Sequence, residues 1–124
     1  MKKPKVVIVD NSHDACRIYE DTLNAAGYDA TAVWDEEQAL ATIRKEVPDL
    51  VLLDILMPKI SGLHLLELIC KDSHTCNVDV VILTNVTDSD IKDKARALGA
   101  KDYIVKSDIK LKDLLKRIDK VISR

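Results

Sequence analysis

The sequence predicts a doubly wound α/β fold with a five-stranded parallel sheet of strand order 2-1-3-4-5. Three observations lead to this prediction. Apolar runs alternate with stretches of helical periodicity, five of each. Most of the apolar runs lack a polar face, which is typical of parallel strands covered on both sides. The length of 124 residues suits a single domain spanning residues 1–124.

The five predicted strands cover residues 5–10, 28–34, 51–54, 78–84 and 101–105. The third is the most informative, because an apolar run that begins at Val51 ends on Asp54. Turn signals lie on both sides of it, at Pro48 and at Met57–Pro58. Proteins bury few unpaired carboxylates. Asp54 therefore either caps the next segment or takes part in chemistry.

Helical periodicity fills the intervals between the strands, apart from a polar loop over residues 72–77. The helix boundaries indicated by capping and breaking residues are, in chain order, Ser12 to Gly27, Asp35 to Pro48, Gly62 to Cys70, Asp88 to Gly99 and Leu111 to Ile122. The apolar residues at helical spacing, which form the expected inner faces, are Ala15, Ile18, Leu23 and Ala26; Leu40, Ile43 and Val47; Leu63, Leu66, Ile69 and Cys70; Ile91, Ala95 and Leu98; and Leu111, Leu114, Leu115, Ile118, Val121 and Ile122.

The composition argues against nucleic-acid and membrane binding. The net charge is −2, and charged residues of both signs make up 32% of the chain, which describes an ordinary protein surface. The apolar stretch after the basic N-terminus stops at Asp10, too early for a signal peptide or a membrane span. Cys16, Cys70 and Cys76 form no CxxC pair and are predicted to be reduced thiols. A cytoplasmic location is expected.

Polar side chains follow or end four of the predicted strands: Asp10, Asp54, Thr84 and Lys106. Because the carboxyl ends of parallel strands meet at one edge of the sheet, these four groups are predicted to share one site. A carboxylate nucleophile, a second carboxylate for a divalent cation, a hydroxyl donor and a lysine are what phosphoryl transfer to aspartate requires. The alternative for Asp54 taken alone is a turn residue.

These motifs resemble the receiver domains of two-component response regulators, and the stand-alone chemotaxis and sporulation regulators are similar in size. The resemblance covers the whole chain, through the runs ending at Asp10 and Asp54, then Gly62, the run ending at Thr84 and the stretch 99–106. It implies a flavodoxin-like (βα)5 fold with Asp54 as the phosphoacceptor. It also implies a sensor histidine kinase or a histidine phosphotransfer protein as phosphodonor, and a downstream protein as target.

The resemblance implies a role for each of the other site residues. Asp10 would help to place Mg²⁺, with the backbone carbonyl of Leu56 as a further metal ligand. Thr84 would be the switch hydroxyl, and Lys106 the amine that pairs with the phosphoryl group. Tyr103 matches an aromatic position whose ring turns inward when Thr84 is drawn toward the phosphoryl group. By side-chain type alone, Tyr103 is equally a half-buried strand tyrosine.

One departure from the receiver pattern concerns the metal. The family usually has a second acid directly after the first, and Asn11 stands at that position. An amide oxygen still offers a ligand to Mg²⁺, but the site loses one negative charge, so weaker metal binding is expected. Asn11 also suits a turn before the first helix. A functional site is favoured because the other site residues remain.

Other departures lie beside the strand ends. Ser107 stands where the family often has a proline joined by a cis bond. A cis Lys106–Ser107 bond would cost about 3 kcal/mol more than trans, so the sequence predicts either a rearranged loop or a strained bond. Asn85 stands where the family prefers a small residue and is expected to narrow access to the phosphoryl group. Leu56 and Val86 are apolar, which would slow attack by water on phosphorylated Asp54.

Other residues could suggest a metal site or a docking surface, but each also fits an ordinary surface position. Cys70, His74 and Cys76 suggest a metal site, but three ligands around one loop fit surface side chains better. His13 and His64 are expected at the surface. The last helix is basic on its outer side, which indicates either a solvated face or a docking surface for an acidic partner; the residues are Lys110, Lys112, Lys116, Arg117, Lys120 and Arg124.

Three functional classes compete. The first is a phosphoacceptor switch, which is not an enzyme beyond its own phosphorylation and dephosphorylation. The second is a pseudo-receiver that binds partners without phosphorylation, for which Asn11 is the support. The third is an enzyme of related fold. A haloacid dehalogenase-type phosphatase would need an acid where Leu56 stands, and a flavodoxin would need a hydroxyl-rich phosphate loop at residues 11–14, so both are disfavoured.

The expected output is protein contact. No winged-helix or helix-turn-helix pattern follows the predicted fifth helix in this sequence, so direct DNA binding is not expected unless the chain is a fragment of a longer regulator. In the switch interpretation, a change at Asp54 spreads through Thr84 and Tyr103 to the fourth helix, the fifth strand and the fifth helix.

Overall fold

A computed structural model describes residues 2–57 and 61–123, in which five strands alternate with five α-helices. The strands are β1 (Lys5–Val9), β2 (Asp29–Val33), β3 (Leu50–Leu53), β4 (Asp79–Thr84) and β5 (Asp102–Val105). The helices are α1 (His13–Ala25), α2 (Glu36–Glu46), α3 (Gly62–Lys71), α4 (Ser89–Ala97) and α5 (Leu111–Ile122). A 3-10 turn, Lys106–Asp108, lies between β5 and α5.

The strands form one parallel sheet of order β2-β1-β3-β4-β5, so the predicted fold class is confirmed. The chain winds in one direction from β1 to β2 and in the other from β3 to β5, with the reversal between β1 and β3. The last backbone pair of β4 and β5 joins Thr84 to Val105. The carboxyl ends of β1, β3, β4 and β5 therefore lie along one edge of the sheet.

The sheet separates two apolar layers, which explains why most strands read as apolar on both faces. The layer beneath α2, α3 and α4 includes Ile43, Leu66 and Tyr103. The layer beneath α1 and α5 includes Leu23 and Ile118. Burying each of the aliphatic side chains contributes about 1.5–3 kcal/mol relative to leaving it in water, so these layers hold the helices on the sheet.

Side-chain caps begin four of the helices. The carboxylate of Asp35 accepts the N–H groups of Glu37 and Gln38, and the carboxylate of Asp88 accepts those of Asp90 and Ile91. Both caps were predicted from the sequence and are confirmed. Ser12 and Ser61 cap α1 and α3 in the same way. These bonds satisfy backbone donors that a helix leaves unpaired at its first turn.

The inner faces of the helices differ from the sequence prediction at four residues. Val47, expected to face inward, is 42% exposed, because it caps α2 in the left-handed conformation with φ 42°. Proline at position 48 disfavours a further helical residue before it, so the chain turns outward there. Ile18 and Leu111 are also exposed, as is Ala26, which is the C-cap of α1; the inner position near Ile18 belongs to Cys16 instead.

The predicted polar loop over residues 72–77 contains a buried residue. The Thr75 side chain is 1% exposed, and its hydroxyl donates to the backbone carbonyl of Ile69 at 2.8 Å. This bond satisfies a carbonyl near the end of α3, so the loop packs against the helix. Part of the turn predicted at Met57–Pro58 lies outside the described residues. No helix within those residues is both long enough and apolar enough to cross a membrane.

Candidate functional site

The carboxylate of Asp54 receives hydrogen bonds on both oxygens. Asp54 follows β3 directly and is 6% exposed. Its Oδ1 accepts the hydroxyl of Thr84 at 2.7 Å and the backbone N–H of Leu56 at 2.9 Å. Its Oδ2 accepts the Lys106 ammonium at 2.9 Å. The ends of three neighbouring strands thus bring three of the predicted site residues into direct contact.

The fourth predicted residue, Asp10, joins the same cluster. It follows β1 and is 2% exposed, and its Oδ1 accepts the backbone N–H of Ser12 at 2.9 Å. Its Oδ2 accepts a short hydrogen bond from the Lys106 ammonium. One partly buried ammonium therefore bridges two buried carboxylates, and the three groups together carry one net negative charge.

Lys106 is held in its charged form. Burial alone lowers the pKa of this amine, but the hydrogen bonds to Asp10 and Asp54, together with their negative charges, outweigh burial and raise its pKa above the ordinary value. The ammonium thus keeps its positive charge beside Asp54.

The loop after β4 is held by Tyr103 from β5. The Tyr103 side chain lies in the core layer beneath α4, 6% exposed, and its hydroxyl donates to the carbonyl of Val86 at 2.6 Å. Burial and the charge of Asp54 raise the pKa of this phenol, so it remains a neutral donor. The Lys92 ammonium lies 5.7 Å from the centre of the ring. The ring is therefore turned inward while Thr84 contacts Asp54.

The donor set at this edge is of the kind that suits Mg²⁺. Mg²⁺ uses one or two carboxylates and keeps several waters, and Asp10 and Asp54 supply two carboxylates. Asn11 is exposed beside them, and Leu56 follows Asp54 by two residues with its side chain 56% exposed. Across residues 2–57 and 61–123, no group of three or more His, Cys, Asp or Glu is arranged to hold a metal. Oxygens of neutral groups would have to complete the ligands.

The sequence matches the response regulator receiver domain family over residues 6–119. This chain belongs to that family. The receiver domain is 34% identical over 129 aligned residues to the "Probable transcriptional regulator ycf27" of Porphyridium aerugineum, covering 99% of this chain and 52% of that protein. It is 32% identical over 116 residues to the "DNA-binding response regulator MtrA" of Mycolicibacterium paratuberculosis, covering 94% of this chain and 50% of that protein. It spans about half the length of these curated relatives.

Solved structures agree with the sequence match. The receiver domain has 28% identity and a TM-score of 0.90 to the chemotaxis protein CheY4 of Vibrio cholerae, covering 97% of this chain and 99% of that one. It has 29% identity and a TM-score of 0.87 to a response regulator from Thermotoga maritima, covering 99% and 100%. Both the predicted fold and the predicted family are therefore confirmed.

The sequence predicted either a rearranged loop or a strained cis bond after β5, and the loop of this receiver domain does not have the cis bond. No peptide bond is cis in the part of the chain that the structure describes, so the Lys106–Ser107 bond is trans. The loop instead forms the 3-10 turn, and the Ser107 N–H donates to Oδ1 of Asn85 at 3.0 Å. Sequence reasoning treated Asn85 and Ser107 separately and missed that they are partners.

Gly62 is a second feature whose role the sequence did not reveal. It is the first residue of α3, and a Cβ there would lie 2.3 Å from Cα of Ile55 and 2.8 Å from the carbonyl oxygen of Asp54. Its N–H donates to the Ile55 carbonyl at 3.2 Å. The helix therefore rests directly on the backbone that carries Asp54. The sequence signals were the glycine itself, which is a poor helix former, and its place among the residues that carry the family resemblance.

The other candidate residues do not gather into a site. His74 contacts the carbonyl of Arg44 through Nε2 at 3.0 Å, whereas the Cys70 sulfur faces Gly99. His13 and His64 are exposed as predicted, and the ring of His13 lies 4.5 Å from that of Trp34. On α5, the described residues include Arg117, whose Nε donates to Asp102 at 2.8 Å. Part of the basic outer side is thus engaged within the domain.

Proposed function

We propose that this receiver domain is a phosphoacceptor switch in which Asp54 takes a phosphoryl group from a sensor histidine kinase or a histidine phosphotransfer protein. One observation supports this proposal above the others. The Thr84 hydroxyl and the Lys106 ammonium contact opposite oxygens of the buried Asp54 carboxylate, at 2.7 and 2.9 Å. A hydroxyl donor and a fixed cation beside a carboxylate are what stabilise charge on a transferred phosphoryl group.

In the proposed reaction, an Asp54 oxygen forms the new O–P bond while the N–P bond to the donor imidazole breaks. The departing nitrogen keeps the bonding electrons and takes a proton from solvent. Thr84 would then donate to a phosphoryl oxygen, and Lys106 would pair with the phosphoryl charge. The domain is not proposed to be an enzyme beyond promoting its own phosphorylation and dephosphorylation.

Mg²⁺ is the proposed cofactor, with Asp10, Asp54, the backbone carbonyl of Leu56 and the Asn11 amide as candidate ligands. When bound, it would neutralise charge on the phosphoryl oxygens. The balance of charge supports a need for a cation: the phosphoryl group carries about −1.5 to −2 charges and replaces the single charge of the Asp54 carboxylate, so a site that is already negative becomes more so. Because Asn11 is neutral, the expected affinity for the metal is low.

The proposed output is contact with a downstream protein through α4, β5 and α5. Tyr103 supports this surface, because its hydroxyl binds Val86 ahead of α4 while its backbone lies in β5. A movement of Thr84 would reach α4 through the hydrogen bond between the Tyr103 hydroxyl and Val86. The relatives named above are a transcriptional regulator and a DNA-binding response regulator. For this receiver domain we propose protein contact and no direct binding to nucleic acid or membrane.

The test is to incubate the protein with acetyl phosphate and Mg²⁺ and then to measure its intact mass. We expect wild-type protein to gain one phosphoryl group and Asp54→Asn to gain none. Asp93→Asn is the matched control, because Asp93 is an exposed carboxylate on α4. A phosphoryl group on the Asp54→Asn protein, or none on the wild type, would contradict the proposal.

The second candidate function is a pseudo-receiver that binds partners without phosphorylation. Two observations favour it: Asn11 replaces an acid, and Lys106 already pairs with both carboxylates. In that case the wild-type protein gains no phosphoryl group at any concentration of acetyl phosphate or Mg²⁺. The same mass measurement therefore separates the two functions.

A further inference from the structure

One hydrogen bond joins the loop after β4 to the loop after β5. The Ser107 N–H donates to the side-chain Oδ1 of Asn85 at 3.0 Å. The backbone pairing of these strands ends at Thr84 and Val105, so this bond lies beyond the last pair of the ladder. It is made by a side chain at the point where backbone pairing has stopped.

The two ends of this bond directly follow the two residues that contact Asp54. Asn85 follows Thr84, which binds Oδ1 of Asp54, and Ser107 follows Lys106, which binds Oδ2. The bond therefore fixes the separation of the two backbone segments from which the hydroxyl and the ammonium extend. Both partners are also departures from the receiver pattern, and each supplies what the other needs. A proline at 107 would have no N–H, and a small side chain at 85 would have no acceptor.

We infer that Asn85 is a positioning residue for phosphorylation: its amide ties the Lys106 loop to the Thr84 loop and keeps the Lys106 ammonium on Asp54. This inference rests on the proposed function. It assigns to Asn85 a role different from that of narrowing access to the phosphoryl group, and the two roles predict opposite effects when the side chain is shortened.

Loss of the Asn85–Ser107 hydrogen bond should displace the loop that carries Lys106 more than the loop that follows Thr84. The loop after β4 has a second attachment, because the Tyr103 hydroxyl binds the carbonyl of Val86 at 2.6 Å. The loop after β5 is a short 3-10 turn with Ser107 exposed. A residue that must stay within about 1 Å of its working position loses efficiency when its support is loosened.

The expected size follows from the strength of one exposed neutral hydrogen bond. Without Asn85, the Ser107 N–H would bond to water, so the net loss is modest. We expect the rate of phosphorylation to fall about two- to tenfold. The fold itself should be unaffected, because Asn85 is exposed and lies outside β4.

The experiment compares three substitutions of Asn85. Ala and Leu both remove the acceptor, but only Ala makes the side chain much smaller, and Asp keeps both size and acceptor. Asn77→Ala is the matched control, because Asn77 is an exposed asparagine in the loop before β4. Each protein is assayed for the rate of phosphorylation by acetyl phosphate with Mg²⁺, and for hydrogen exchange of the Ser107 amide by NMR.

The inference predicts that Asn85→Ala and Asn85→Leu both lose protection of the Ser107 amide and are both phosphorylated more slowly. Asn85→Asp should keep the protection, and Asn77→Ala should match wild type in both measurements. If Asn85→Ala is phosphorylated faster while Asn85→Leu is unchanged, Asn85 controls access and the inference is wrong. Unchanged rates after loss of protection would also overturn it. A wild-type protein that takes no phosphoryl group would refute the proposed function itself.

Discussion

Replacing Gly62 by alanine should destabilise this domain, although alanine is the better helix former. In an unobstructed helix interior, Gly to Ala stabilises by about 1 kcal/mol. Here the new Cβ would lie 2.3 Å from Cα of Ile55 and 2.8 Å from the carbonyl oxygen of Asp54. Both contacts are with backbone, so no side-chain rotation can relieve them, and α3 must move by about 1 Å.

The expected net effect is a loss of about 2–3 kcal/mol in the free energy of unfolding, since overpacking of this severity costs about 3 kcal/mol and helix propensity at the first residue of α3 returns less than about 1. Urea unfolding followed by circular dichroism measures it. Gly62→Ala should also slow phosphorylation of Asp54 by acetyl phosphate, because the shifted helix displaces the backbone that carries the carboxylate.

Gly27→Ala is the informative comparison. Gly27 has φ +97°, but a Cβ there would have no neighbour within 4 Å. Its substitution introduces backbone strain of about 1–2 kcal/mol without steric contact, far from the site. We expect it to lower stability and to leave phosphorylation unchanged. The steric argument is refuted if Gly62→Ala is as stable as wild type within about 0.5 kcal/mol.

Three further predictions concern charge, a buried hydroxyl and a buried thiol. Asn11→Asp should tighten Mg²⁺ binding by about 1–2 kcal/mol, roughly tenfold, as measured by calorimetry, because it adds one negative charge beside the metal ligands; equal affinities would count against a metal at this edge. Thr75→Val should lower the free energy of unfolding by about 1–3 kcal/mol, because it leaves a buried carbonyl without its donor, whereas Thr87→Val at an exposed position should change it little. Burial raises the pKa of the Cys16 thiol from 9.0 to about 11, so the folded state holds this proton more tightly and stability should fall as the pH rises through that range. Cys16→Ala should reduce the change of the unfolding free energy with pH in this range, and Cys76→Ala should leave that change as it is in the wild type.

Most of the fold and the members of the site could be predicted because they depend on local pattern and on one topological rule. An apolar run that ends in Asp10 or Asp54 indicates a buried strand with a polar end, and parallel strands bring such ends together. The caps at Asp35 and Asp88 follow from residue type and spacing alone. The biochemical roles of the clustered residues stay predictions until phosphorylation is measured.

The rest depended on contacts that no local pattern encodes. Val47 fits the apolar period of its helix, but the following proline disfavours a further helical residue, and Val47 instead caps the helix in the left-handed conformation and lies outward. Thr75 reads as polar loop and is buried, because its hydroxyl finds a partner six residues away. The Asn85–Ser107 bond joins loops 22 residues apart, and its two ends looked like unrelated substitutions.

The partition of the interior by the sheet has a mechanical consequence. The ring of Tyr103 belongs to the layer shared with α2, α3 and α4, whereas α1 and α5 rest on a separate layer across the sheet. A rearrangement of that ring would disturb side chains on one face of the sheet only. In the proposed switch, α4 would therefore shift with the ring relative to α5, so that a partner bound across both helices would sense a change in their relative position.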